Sequence, residues 1–163
     1  MVIYNVRIAP YVPTSLNSVL FGIFPGSTRS FLLLEIDIEG LGSSSSQCEF
    51  GFYRTNNTST VLTLLNGYPT DVNSSPQAFS GVSGQGPGTT APTAGTLVHE
   101  FGLNAFGQRY FWRANPNLNN AILCSGVSTN NGSTSFSGGL ILQQISGTPA
   151  NSQIGGRIQI GEL

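Results

Sequence analysis

The sequence predicts an all-β fold: an antiparallel β-sandwich, jelly-roll-like, of about eight to ten short strands with one long Gly/Ser/Pro/Thr-rich loop. Three observations predict it. Short apolar runs alternate with period two rather than at helical spacing. Clusters of Gly, Pro, Asn and Ser punctuate those runs at regular intervals. No stretch carries a convincing amphipathic helix. The 163 residues make one domain, large enough to fold around its own core without a disulfide or a metal. Absence of an internal repeat argues against a propeller or a β-helix.

The other elements are arranged around Phe31 to Ile38 (FLLLEIDI), the longest strand-like run. Strict alternation puts Leu32, Leu34, Ile36 and Ile38 on one face and Phe31, Leu33, Glu35, Asp37 and Glu39 on the other. Such a strand begins buried on both faces and ends solvated on one, as a central strand does under a second layer. Burying each aliphatic is worth about 1.5–3 kcal/mol before the entropy of ordering it is subtracted.

In chain order, Val2, Tyr4, Val6 and Ile8 alternate into a first strand that stops at Pro10. Pro10 and Pro13 mark a bend or an extended N-terminal arm over residues 1–14, because proline cannot donate to a ladder. Ser18 to Phe24 is a second strand closed by a Pro25-Gly26 turn, and Gly40 to Gln47 is a flexible connection. Cys48 to Arg54 sets Cys48, Phe50, Phe52 and Arg54 against Glu49, Gly51 and Tyr53. Thr60 to Leu65 is either a short strand or a single helical turn. Residues 70–95 form the long loop, with Val72, Phe79 and Val82 as its bulky apolar anchors. Strands then resume at Thr96–Leu103, Gln108–Ala114, Ala121–Ser125, Gly139–Ile145 and Gly156–Ile160.

Charged residues make up only 8% of the chain, against a usual share of about 25%. No run approaches the roughly 20 apolar residues that span a bilayer as a helix, so no membrane partner is expected. The polar surface is built from Ser, Thr, Asn, Gln and Gly, which pack against neighbours without the cost of stripping water from charges. All six basic residues are arginine, at 7, 29, 54, 109, 113 and 157. Arginine is favoured in interfaces where lysine is depleted, although codon bias accounts for the pattern equally well. A net charge of −1 and no basic arm leave no electrostatic footprint for nucleic acid. The opening MVIYNVRIAP has no charged region, apolar core or cleavage site of a signal peptide, so synthesis in a cytoplasm is expected. Sequons at Asn56, Asn57, Asn73 and Asn131 then carry little weight. Cys48 and Cys124 fit as small buried hydrophobes, with a disulfide open to them if their strands are neighbours.

Candidate sites are few. Glu35, Asp37 and Glu39 with Glu49 form a carboxylate group that suits calcium or a glycosidase pair. A solvated strand end accounts for them better, because no Asp-x-Asp-x-Asp-Gly loop is present. His99 is the single histidine and cannot build a multi-histidine metal site, so a structural or interfacial role is expected. SGVSG at 80–84 lacks the preceding strand that a nucleophile elbow needs. The densest aromatic–arginine cluster is Arg109 to Arg113. Alternation puts Tyr110 and Trp112 on a core face and leaves Arg109, Phe111 and Arg113 opposite, the two arginines suiting subunit contact or charge pairing. No catalytic residue, cofactor or metal is expected.

An N-terminal strand, an apolar strand ending in alternating acids, the CEFGFYR strand, a Ser/Gly/Pro/Thr-rich middle loop and Gly-punctuated closing strands together resemble the small all-β structural proteins of tailed bacteriophages. Capsid decoration (cement) proteins are the most similar in style. The resemblance implies a non-enzymatic virion protein on the capsid exterior, trimeric, bound to the major capsid protein lattice and reinforcing its joints. Contacts would then come from Tyr4, Arg7 and Tyr11 of the arm, Phe79 of the loop, and Arg109 and Arg113. A glycan-binding module of a phage tail or fibre is the alternative, with exposed aromatics expected near Trp112; a glycan hydrolase is more remote.

Overall fold

The structure, a computed structural model, describes residues 1–24, 30–55, 63–64, 67–69, 82–85, 94–115, 117, 120–124, 128–130, 133–135 and 139–163. Among these the strands are β1 (Val2–Tyr11), β2 (Val19–Phe24), β3 (Phe31–Leu41), β4 (Gln47–Thr55), β5 (Thr63–Leu64), β6 (Gly67–Pro69), β7 (Val82–Gln85), β8 (Leu97–Asn104), β9 (Phe106–Arg113), β10 (Ile122–Cys124), β11 (Ser128–Asn130), β12 (Ser133–Ser135), β13 (Gly139–Ser146) and β14 (Ile154–Glu162). One 3-10 turn, Pro149–Asn151, separates the last two.

The chain is an antiparallel all-β sandwich of two six-stranded sheets. The first runs β10-β3-β14-β1-β6, with β9 also paired to β3, and the second runs β5-β7-β2-β13-β4-β8. β11 and β12 form a separate ribbon. The long strands change sheets as the chain proceeds: β1, β3, β9 and β14 lie in the first, β2, β4, β8 and β13 in the second. Chain start and chain end lie side by side, from Val2 opposite Glu162 to Tyr11 opposite Ile154.

Alternation decides which side chains fill the space between the sheets. Tyr4, Val6 and Ile8 of β1, Ile158 and Ile160 of β14, and Ile36 and Ile38 of β3 meet Phe50 and Phe52 of β4, Leu140 and Leu142 of β13, and Phe101 and Leu103 of β8. A smaller cluster of Val19, Phe24 and Ile141 forms apart from this core, with Tyr53 and Ala94 packed against it.

Three expectations are corrected. Of the two alternatives for the N-terminus, a bend or an extended arm, the arm does not hold for β1, which is flanked by β14 on one side and β6 on the other. Pro10 falls where the register shifts between Ile8 and Tyr11, a bulge position that a residue without an N–H tolerates. The strict alternation of FLLLEIDI also fails: β14 pairs Ile160 with Leu33 and Gln159 with Glu35, leaving Leu34 as an extra, bulged residue. Phe31 and Leu33 therefore join Ile36 and Ile38 in the core, in place of Leu32 and Leu34. The bulge lies where β3 changes partner on its other edge, β10 pairing with Phe31–Leu33 and β9 from Glu35 onward. The Leu34 carbonyl accepts the Ala114 N–H there at 2.7 Å. Part of the expected loop is the strand β7, paired to β2 on one side and to β5 on the other. Most of residues 70–95, Phe79 included, lies outside the described residues.

Candidate functional site

A β-strand aims successive side chains to opposite faces, so the residues between the core positions of the first sheet share its outer face. Register then lines them up in rows. Asn5, Gln159, Glu35 and Arg113 form one row across β1, β14, β3 and β9. Arg7, Arg157, Asp37 and Phe111 form the next. Gly155, Glu39 and Arg109 form a third. Four of the chain's six arginines and three of its seven acids thus meet on one surface.

The ion pairs run diagonally between the rows. Arg109 holds Asp37 in a two-pronged grip, Nε to Oδ1 and Nη2 to Oδ2, both at 2.5 Å. Arg157 donates from Nη2 to Glu35 Oε1 at 2.9 Å and from Nε to Asp37 Oδ2 at 3.3 Å. Arg113 Nε lies 3.7 Å from Glu35 Oε2. The hydrogen bonds from Arg109, then from Arg157, hold the Asp37 carboxyl below its ordinary value against the opposing effect of partial burial. The same contact with Asp37 raises the Arg109 guanidinium.

This corrects the expectation of a solvated strand end. Glu35 and Asp37 are only 6% and 8% exposed because arginine side chains from β9 and β14 lie over them, whereas Glu39 is exposed. The acids need this arrangement more than the arginines do, since carboxylates at this depth are costly unless paired and the guanidiniums stay open to solvent.

Two charges stand outside the network. Arg7 is exposed and has no hydrogen-bond or ion-pair partner among the described residues, and it sits directly across from Arg157. Glu39 acts electrostatically on Arg109 but makes no hydrogen bond among the described residues. Between them lies a hollow of about 420 Å³, lined by Asn5, Arg7, Asp37, Glu39, Arg109, Gly156 and Arg157. Its floor depends on glycine: Gly156 has φ of +144°, and a Cβ there would come within 2.1 Å of the Asp37 carbonyl oxygen.

On the inner side of β9, Tyr110 and Trp112 pack against the core as alternation requires. His99 of β8 lies between the sheets with them, its Nε2 2.6 Å from the Tyr110 hydroxyl and its ring 5.2 Å from that of Trp112. Phe101 stacks on Tyr110 at 4.3 Å. Burial lowers the His99 value, so the ring is a neutral member of an aromatic layer that joins β8 to β9. Among the described residues no group of three or more His, Cys, Asp or Glu could hold a metal ion.

The remaining candidates fall elsewhere. Tyr4 is 1% exposed, its ring taken up inside its own sandwich rather than offered to another chain. Tyr11 is half-buried against the core, and its buried hydroxyl finds no partner among the described residues. Cys48 and Cys124 are free and buried on strands of different sheets. Burial raises the Cys48 thiol and pushes Cys124 up to about 12. Arg54 reaches from β4 across to β10, donating to the Leu123 carbonyl and lying 3.8 Å from Cys124 Sγ. Arg7, Arg109 and Arg113 share the outer face, together with Asn5 and Arg157, which the sequence reading passed over. The GRIQI alternation held the signal for Arg157, since Ile158 and Ile160 are core and Arg157 must face the other way. Comparison with protein-family models, with curated proteins and with solved structures finds no match to this chain.

Proposed function

We propose that this chain is a non-enzymatic structural virion protein, a jelly roll that decorates and stabilises a bacteriophage capsid as a trimer, through contacts between subunits and with the major capsid protein. The observation that carries the reading is the strand order. Core strands run β1-β14-β3-β9 in one sheet and β2-β13-β4-β8 in the other. First and last strands are neighbours, and successive long strands alternate between the sheets except at β4 and β8, which pair as the innermost turn of a hairpin folded over on itself. That order suits a jelly roll, an architecture used by viral capsid and lectin domains. Surface chemistry adds to it. Few charges must be desolvated when such a surface packs against a lattice, and five of the thirteen charged residues are already paired with one another on one face. Light scattering of the purified chain, followed by co-sedimentation with particles lacking it, tests the reading: a trimer that pellets with the particle is expected, and a monomer left in the supernatant contradicts it.

A glycan-binding role at a phage tail or fibre is the second reading. The specific observation favouring it is Phe111, 53% exposed and directly across from Asp37, beside a hollow of polar lining. Trp112, next to it, faces the core.

A further inference from the structure

We infer that the hollow between β1, β14 and β3 is a binding site for an acidic saccharide, with Arg7 receiving the sugar carboxylate and Glu39 accepting its hydroxyls. The inference deepens the glycan-binding reading and is independent of whether the chain decorates a capsid.

Charge is the first argument. Three guanidiniums and two carboxylates line the hollow, leaving one positive charge in excess. Arg109 is committed to Asp37 and Arg157 to Glu35 and Asp37, so Arg7 is the lining cation without a partner among the described residues. Cross-strand like charges repel, and Arg7 faces Arg157 directly. An anion seated beside Arg7 removes that repulsion and meets a planar donor fork suited to a carboxylate.

Glu39 is the second. A bare anion at Arg7 shares the hollow with a carboxylate that has no donor of its own. A ligand bearing hydroxyls as well as a carboxylate satisfies both, since Glu39 accepts and a sugar hydroxyl donates. The Asn5 side chain adds donors, because its Oδ1 already accepts from Gln159 Nε2 at 3.3 Å and its amide N–H groups remain. An inorganic phosphate brings the anion with few or no donors for Glu39, so it fits less well.

Shape is the third. The volume lies within the range of small-ligand sites, about 300–1,000 Å³. Gly156 lines the hollow with backbone alone.

Titration of the labelled chain with glucuronate, glucose and acetate, followed by amide shifts, tests the inference. Glucuronate is expected to shift amides of β1, β14 and β3 around the hollow, with glucose and acetate much weaker. Arg7→Ala should weaken glucuronate about ten- to a hundredfold, the range for losing hydrogen bonds to a charged group. Glu39→Gln should weaken glucuronate while leaving acetate no weaker, since it removes a like charge from the hollow. Thermal unfolding of both variants checks that the sandwich is intact, and Arg7→Lys should recover part of the binding. No shift with glucuronate up to its solubility overturns the inference. Acetate binding as tightly as glucuronate overturns the saccharide assignment. Glucose binding that ignores Arg7→Ala overturns this site while leaving glycan recognition standing.

Discussion

The two sheets solve the problem of their outer faces in opposite ways. On the second sheet, Val19, Phe24 and Ile141 are buried in an apolar cluster apart from the core, with Tyr53 and Ala94 against it. On the first, the corresponding positions are charged, and Glu35 and Asp37 are buried under arginines instead of hydrocarbon. Apolar burial is non-directional and tolerates adjustment, whereas a bidentate guanidinium–carboxylate contact fixes geometry and leaves charge at the surface to be recognised. One face contributes mainly stability. The other leaves charged groups at the surface.

The contrast yields an ordered set of outcomes. The largest loss is expected at the seam between charge and backbone: Gly156→Ala should destabilise by about 3 kcal/mol or more, since it combines a positive φ with a Cβ driven into the Asp37 carbonyl. Urea unfolding measures it, and a loss near zero would show that β14 and β3 can separate without consequence. Next, Ile141→Ala on the second sheet should cost about 2–5 kcal/mol through cavity formation, with the same loss at neutral and acid pH.

Asp37→Asn should cost less, about 1–3 kcal/mol at neutral pH, because the guanidiniums that grip it are open to solvent. Its pH dependence separates the faces. Pairing with Arg109 holds the Asp37 carboxyl below its ordinary value of 3.8, so its stabilisation is complete above that value and is lost as pH falls through the lowered one. The gap between parent and Asp37→Asn should therefore close in acid, while the Ile141→Ala gap stays open. Equal behaviour of the two variants would erase the distinction. Smallest of all, Arg7→Ala should change stability by no more than about 0.5 kcal/mol, since the side chain is exposed and unpaired.

Much of the architecture was legible in the residues themselves. Period-two runs located β1, β2, β4, β8, β9, β13 and β14, and the QRYFWRA alternation divided core from surface on β9 correctly. Leu32, Leu33 and Leu34 gave no sign of a bulge, because three identical side chains satisfy either register equally well. The arm went wrong for a related reason. Pro10 and Pro13 announce a break locally, while β1 is held in place by β14, more than a hundred residues away in sequence. The arginine–carboxylate face was legible only in fragments. Acids on β3 and arginines on β9 were each visible, yet their burial depends on register between β3, β9 and β14, which no local pattern encodes.

If this chain decorates a capsid as proposed, the sandwich packs against a larger shell. A density map of the assembled particle tests it most directly. It should contain copies of this sandwich on the capsid exterior, grouped in threes and touching the major capsid protein. A complete map of the particle with no such density, its capsid joints already stable without this chain, would contradict it.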